Sequence, residues 1–307
     1  MDKLLSTADI PSRFLKSAFL IGHVPLKALS TDPRVSFALY VPPNSYSSTP
    51  QKKLPLVVYV HGTRRNISPL FSQELTAFAD STPCAILAPV FPTGLDGPND
   101  LLSYTTLRSQ TLRSDLALLA ILDEISVRWP GINAEKVFMM GFSAGGQFAH
   151  RFLYLYPERI VAASIGAPGQ VTTLNDQKDW PIGVANIHDL FDRPINKELI
   201  GRVPIQLVVG DQDTGVHGGD EFRTWVRQFV KKREEKSETK TALPAMKQGR
   251  MESLKSLQET WREDKIDSQL DVVPGVVHSS AGVQADVLKF LGPQIQSWLE
   301  SQSRSTE

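Results

Sequence analysis

The chain has 307 residues, 41% apolar and 8% aromatic, which is enough for a large core, and open α/β sheets of this length often form one domain. Lysine plus arginine and aspartate plus glutamate each number 33, so the formal net charge is zero; that balance argues against nucleic acid or an acidic membrane surface and leaves a small molecule as the expected partner. The single cysteine, Cys84, excludes an intrachain disulfide and reads as an inert thiol in the strand "CAILAPVF".

The N-terminal stretch "MDKLLSTADIPSRFLKSAFLIGHV" lacks the charged, hydrophobic and small-residue order of a signal peptide. No run of about 18 apolar residues is available to span a membrane. A soluble cytoplasmic protein in a reducing compartment is therefore expected.

From residue 24 onward the chain alternates short β-branched runs with longer amphipathic ones. "VSFALYVP" reads as an early strand and "LPLVVYVHG" as a buried strand closed by glycine. "SPLFSQELTAFADS" follows as a helix, with Ser68 as N-cap, Pro69 at the first helical position and Phe71, Leu75 and Phe78 on one face. "CAILAPVF" is the next strand, and after the loop "PTGLDGPND" the spacing predicts a long helix from about 106 to 129, carrying Leu112, Leu116 and Leu119. "KVFMMGF" is a strand, followed by a helix with Phe148, Phe152 and Leu155. "IVAASIGAPG" and "VPIQLVVG" are strands. Phe222, Trp225, Val226 and Phe229 mark another helix, and Leu254, Leu257 and Trp261 a further one. "QLDVVPG" is the last strand, and the C-terminal segment reads as helical, broken near Gly292-Pro293. This alternation predicts a single domain over 1–307, a mostly parallel sheet of about eight strands with helices on both faces.

Two segments depart from the rhythm. Residues 169–202 join two strands through a polar stretch holding Trp180, His188 and Phe191, and are expected to form a lid-like insertion with Trp180 and Phe191 as apolar, substrate-facing walls. The charged run "KKREEKSETK" reads as a solvated helix end and linker.

The chemistry concentrates at "GFSAGG". A Gly-x-Ser-x-Gly is weak evidence alone, but here it lies between a strand and a helix, where a tight turn demands small neighbours and leaves the serine hydroxyl exposed beside a helix N-terminus. Ser143 needs a positioned base to become a nucleophile, and the base needs a group that holds its tautomer. His278 follows the last strand and is the leading base. His23, His61 and His150 have structural readings, His188 belongs to the 169–202 segment, and His217 lies in "DQDTGVHGGD", whose spacing matches no metal-ligand pattern. Of the acids after "VPIQLVVG", Asp213 is favoured because the extra residues let the chain turn inward, whereas Asp211 is placed to cap the turn; Asp189 and Asp192 are more distant alternatives. Charge developing on a carbonyl oxygen needs preorganised donors, and the backbone N–H groups of Ala144 and of Thr63, behind His61-Gly62, are suited to supply them. Arg64 and Arg65 are equally placed to hold a substrate carboxylate or to face water. No cofactor or metal is implied.

With "HGT", "GFSAGG", "VVGDQD" and "VPGVVH" in this order at strand ends, the chain resembles the α/β-hydrolase superfamily from about residue 24 to 300. It is similar to esterase-like and depolymerase-like members and to hydrolase-fold tailoring enzymes of fungal polyketide clusters, such as those of cytochalasan-type pathways. The resemblance implies Ser143 as nucleophile, Asp213 as acid and His278 as base; the oxyanion loop is "HGTRR" where many esterases carry three glycines. It implies a serine hydrolase acting on an ester or thioester. The alternatives are carbon–carbon bond formation or cleavage, or cyclisation, on the same residues, and a ligand-binding protein without catalysis.

Overall fold

The computed structural model describes residues 4–214 and 249–304. The helix expected around Phe222–Phe229, the charged run 231–240 and His217 lie outside them. Eight strands form one sheet: β1 (Gly22–Ala28), β2 (Ser36–Val41), β3 (Leu54–Val60), β4 (Ala85–Val90), β5 (Ile132–Phe142), β6 (Ile160–Gly166), β7 (Ile205–Gly210) and β8 (Gln269–Val273). Their order is β1-β2-β4-β3-β5-β6-β7-β8. β2 runs antiparallel to both neighbours, and every pair from β4/β3 to β7/β8 is parallel.

The apolar runs of the central strands follow from that position. A strand covered on both faces has no solvent side to alternate toward, and all six residues of β7 are buried. On one face lie α2 (Ser114–Arg128), α3 (Ala144–Leu155) and α6 (Arg250–Glu263), contributing Leu118, Phe148, Phe152 and Trp261 to one core. The other face takes α1 (Gln73–Ser81) and α7 (Ser280–Arg304) through Leu75, Leu291 and Ile295. Between β6 and β7 run two short helices, α4 (Ile187–Phe191) and α5 (Lys197–Gly201).

Three expected boundaries shift, each for a local reason. α1 is capped by Ser72, whose hydroxyl accepts from the Leu75 N–H, and Ser68–Phe71 forms a separate 3-10 turn. α2 starts at Ser114 because Leu107 takes a left-handed φ of 64°, which ends a 3-10 turn at 103–106 and interrupts the helical pattern. α7 continues through Pro293. An interior proline costs about 3 kcal/mol, but Val283, Val287, Leu291 and Ile295 form a four-residue stripe buried against the sheet on both sides of it.

Candidate active site

The carboxyl ends of β3, β5, β7 and β8 bring together residues far apart in sequence. Ser143 sits at the corner between β5 and α3 with φ 58° and ψ −117°, a strained backbone for a residue with a side chain. The surroundings hold it there: its N–H donates to Gly166 O at 2.8 Å, and its carbonyl accepts from the Gln147 N–H at 3.1 Å. Gly145 is required by close approach, since a Cβ there would lie 2.2 Å from Val60 O. Thus the small residues of "GFSAGG" let α3 start against the end of β3.

His278 Nε2 lies 3.0 Å from Ser143 Oγ and is placed to accept its proton, and His278 Nδ1–H points to Asp213 Oδ2 at 2.7 Å. The ring rests against Phe142, with centroids 4.8 Å apart. Asp213 is 3% exposed. Asp211 instead accepts from the Gly275 N–H at 2.7 Å and fixes the β8 turn. Gly210 lets this turn approach, because a Cβ there would lie 2.0 Å from Val276 O. The two aspartates thus point to different partners: Asp213 turns in to the histidine, and Asp211 closes the loop.

Sequence reasoning missed Arg250. It opens α6, is 3% exposed, and its Nη1 donates to Asp213 Oδ1 at 2.8 Å. No sequence signal marked it, because an arginine at the start of an amphipathic helix ordinarily faces water.

The loop after β3 passes beside the serine; a Cβ added to Gly62 would be 4.0 Å from Ser143 Cβ. His61 Nδ1–H donates to Gly62 O at 2.9 Å and Nε2 accepts from the Phe91 N–H at 3.1 Å. Those two bonds select the neutral ring, and burial pushes its pKa down to about 4. Arg65 is turned inward: it donates to Thr63 O at 2.6 Å, Phe91 O at 3.2 Å and Pro92 O at 3.2 Å, and its guanidinium lies 4.7 Å from the Tyr104 ring centre. Arg65 is consequently a brace for the Thr63 loop, while Arg64 is exposed. Ala144, the first residue of α3, contributes one of the first-turn amides that helix geometry leaves without an intrahelical partner.

The 169–202 segment corrects one expectation. Phe191 is 4% exposed and packs edge-on against Trp180 at 5.2 Å, with the Arg113 guanidinium 4.7 Å over its ring. The Trp180 indole N–H donates to Thr106 O at 2.8 Å. These contacts anchor the segment to Thr106 and Arg113, and Phe191 is packed inward rather than presented as a substrate-facing wall. His188 and Asp192 are exposed at α4.

An alcohol, an imidazole and a buried carboxylate in one hydrogen-bonded line can pass a proton from the alcohol to the ring as the oxygen attacks an electrophilic carbon. The eight-stranded, mostly parallel sheet with helices on both faces matches solved structures over most of the chain. The chain has the α/β-hydrolase fold. It is similar to LpqC, a poly(3-hydroxybutyrate) depolymerase from Bordetella parapertussis, at 22% identity and TM-score 0.63, over 93% of this chain and 95% of that one. Poly(aspartic acid) hydrolase-1 from Sphingomonas sp. KT-1 matches at 20% identity and TM-score 0.58, over 83% and 92%. An S-formylglutathione hydrolase from Agrobacterium tumefaciens matches at 16% identity and TM-score 0.56, over 90% and 95%. No family model matches the sequence, and no curated protein does. Among the described residues no helix is long and apolar enough to cross a membrane, and no group of three or more His, Cys, Asp or Glu gathers to hold a metal.

Proposed function

We propose that the protein is a serine hydrolase that cleaves an ester or thioester through an acyl-enzyme. Ser143 Oγ attacks the carbonyl as His278 takes its proton, and Asp213 holds the ring and stabilises the imidazolium. His278 then returns the proton to the leaving group, and water, activated by the same ring, releases the acyl group. The backbone N–H groups of Ala144 and Thr63 receive the oxyanion, a role in which one donor is worth roughly 3 to 4 kcal/mol. The observation that carries the reading is the unbroken line Asp213–His278–Ser143, at 2.7 and 3.0 Å, ending on a serine with φ 58°. Likeness to proteins named depolymerase, poly(aspartic acid) hydrolase and S-formylglutathione hydrolase supports it. The sequence resemblance to tailoring hydrolases of fungal polyketide clusters supports a small-molecule substrate from secondary metabolism.

The test is labelling with a fluorophosphonate, mapped to Ser143 by peptide mass, together with a burst of nitrophenol from a nitrophenyl ester. Labelling and burst, both lost in Ser143→Ala, are expected. Folded protein that neither labels nor bursts would overturn the proposal.

A further inference from the structure

We infer that Arg250 is a positioning residue of the proton relay: its guanidinium holds one oxygen of Asp213 so that the other is aimed at His278. This rests on the hydrolase reading of Ser143. The two carboxylate oxygens are divided between partners from different elements. Arg250 Nη1, from the start of α6, is 2.8 Å from Oδ1, and His278 Nδ1, from the loop after β8, is 2.7 Å from Oδ2. The terminal torsion of an aspartate is soft and broad, so a carboxylate bonded on one side only can swing away from the ring. A donor on the second oxygen removes that freedom.

The pair is also closed to water. Side-chain exposure is 4% for Arg250 and 1% for Asp213, and in such surroundings a lone carboxylate is costly, whereas a paired one is retained. The charge has a second effect. When His278 takes the serine proton the line becomes cation, anion, cation, so Arg250 opposes the positive ring that Asp213 favours. Among the described residues, that ring faces Asp213 from the loop after β7, Ser143 and the uncharged Phe142 from the end of β5, with Arg250 of α6 behind the carboxylate. Arg250 thus aims the carboxylate and adds its charge to the line.

The experiment compares Arg250→Met and Arg250→Lys by the pH profile of kcat/KM and the separate kcat and KM for a nitrophenyl ester, with active sites counted by fluorophosphonate labelling. Groups that orient the ligands of a metal site matter by about 10- to 100-fold, and the same scale is expected for a group that orients a carboxylate behind a histidine. In Arg250→Met, kcat is expected to fall within that range while KM stays within about threefold, and the acidic limb should move up by roughly one pH unit. Arg250→Lys keeps the charge without the planar fork, so its limb should stay at the wild-type position while kcat falls. A residue that merely fastens α6 would change the labelled fraction and leave the limb and the kcat per labelled site unmoved in both variants; that result would overturn the inference. If Arg250→Met does not fold, the lysine variant decides: a wild-type kcat per site, or a displaced limb, refutes it. Failure of the wild type to label would sink the hydrolase reading itself, a result distinct from either.

Discussion

Arg250 and Arg151 are both buried arginines behind the corner serine, and they are accommodated in opposite ways. Arg250 meets a carboxylate. Among the described residues, the hydrogen-bond partners of Arg151, fully buried on α3, are neutral oxygens: Thr172 Oγ1 at 2.8 Å, Thr105 O at 2.9 Å, Thr105 Oγ1 and Gln147 Oε1 at 3.3 Å, and Gln170 Oε1 at 3.1 Å. Burial pulls its pKa down to about 9; burial first, and then the Arg151 charge, hold the pKa of neighbouring His150 down at about 3, so that ring is neutral. A buried cation beside an anion is placed to aim it. One among neutral acceptors ties backbones together, here α3 to the turn at 103–106 and the start of the 169–202 segment. Substitutions at the acid end should therefore alter turnover, and substitutions in the frame behind α3 should alter stability.

The largest effect expected is that of Ser143→Ala, which should reduce ester turnover by at least about four orders of magnitude while leaving the melting temperature near that of the wild type. Retained turnover with a natural substrate would replace the acyl-enzyme by proton transfer alone, as in carbon–carbon bond chemistry on the same residues. Next, Asp213→Asn should lower kcat by about 10³- to 10⁴-fold through the wrong histidine tautomer. Asp211→Asn keeps an acceptor for the Gly275 N–H and should lose less than about tenfold. Equal sensitivity of the two, measured on folded protein, would undo the division between them.

On the frame side, Arg151→Met should cost on the order of 3 kcal/mol in denaturant unfolding, because Thr105 O and two glutamine oxygens lose a charged donor in the interior. Turnover per labelled site should stay within about tenfold of the wild type. The same frame predicts acid lability. His61 and His150 have folded pKa values lowered to about 4 and about 3, so below pH 6.5 the unfolded chain binds protons that the native one refuses. Their contribution is complete above pH 6.5 and is lost as pH falls toward 4 and below, which unfolding midpoints across that range would read. A flat profile would place charged, rearranged rings in the native state.

The parts legible in the sequence are those set by local sterics and period. Buried parallel strands must be apolar on both faces, and a serine corner must be flanked by glycine, so β3 to β7 and Ser143 could be read directly; β8, a partly exposed edge strand, was read from its β-branched run, and Asp213 and His278 followed from strand ends. What escaped depends on contacts closed only in three dimensions. Arg250 reaches Asp213 across 37 residues of chain. The start of α2 is decided by one left-handed residue, Leu107, which has no glycine or asparagine to announce it. Pro293 reads as a breaker because the stripe that carries α7 past it is a tertiary feature. Trp180 and Phe191 looked like cover residues for the related reason that polar neighbours in sequence do not show which face is packed.

Those two aromatics provide the smallest and finest test of the contrast between the two arginines. Trp180 stands beside the second of these: its indole N–H is taken by Thr106 O and its ring centre lies 5.9 Å from the Arg151 guanidinium. If it is part of the frame, Trp180→Ala should cost about 2 kcal/mol, below the full range for a buried tryptophan because the residue is only half-buried. Trp180→Phe keeps the edge-on contact with Phe191 and loses the hydrogen bond, so about 1 kcal/mol is expected. In both variants the ratio of kcat/KM between short-chain and long-chain nitrophenyl esters should match that of the wild type. A changed ratio with unchanged stability would put Trp180 in contact with substrate and return the segment to the role of a lid. The graded loss from Ala to Phe, with the ratio constant, would fix it as the outer end of the Arg151 frame.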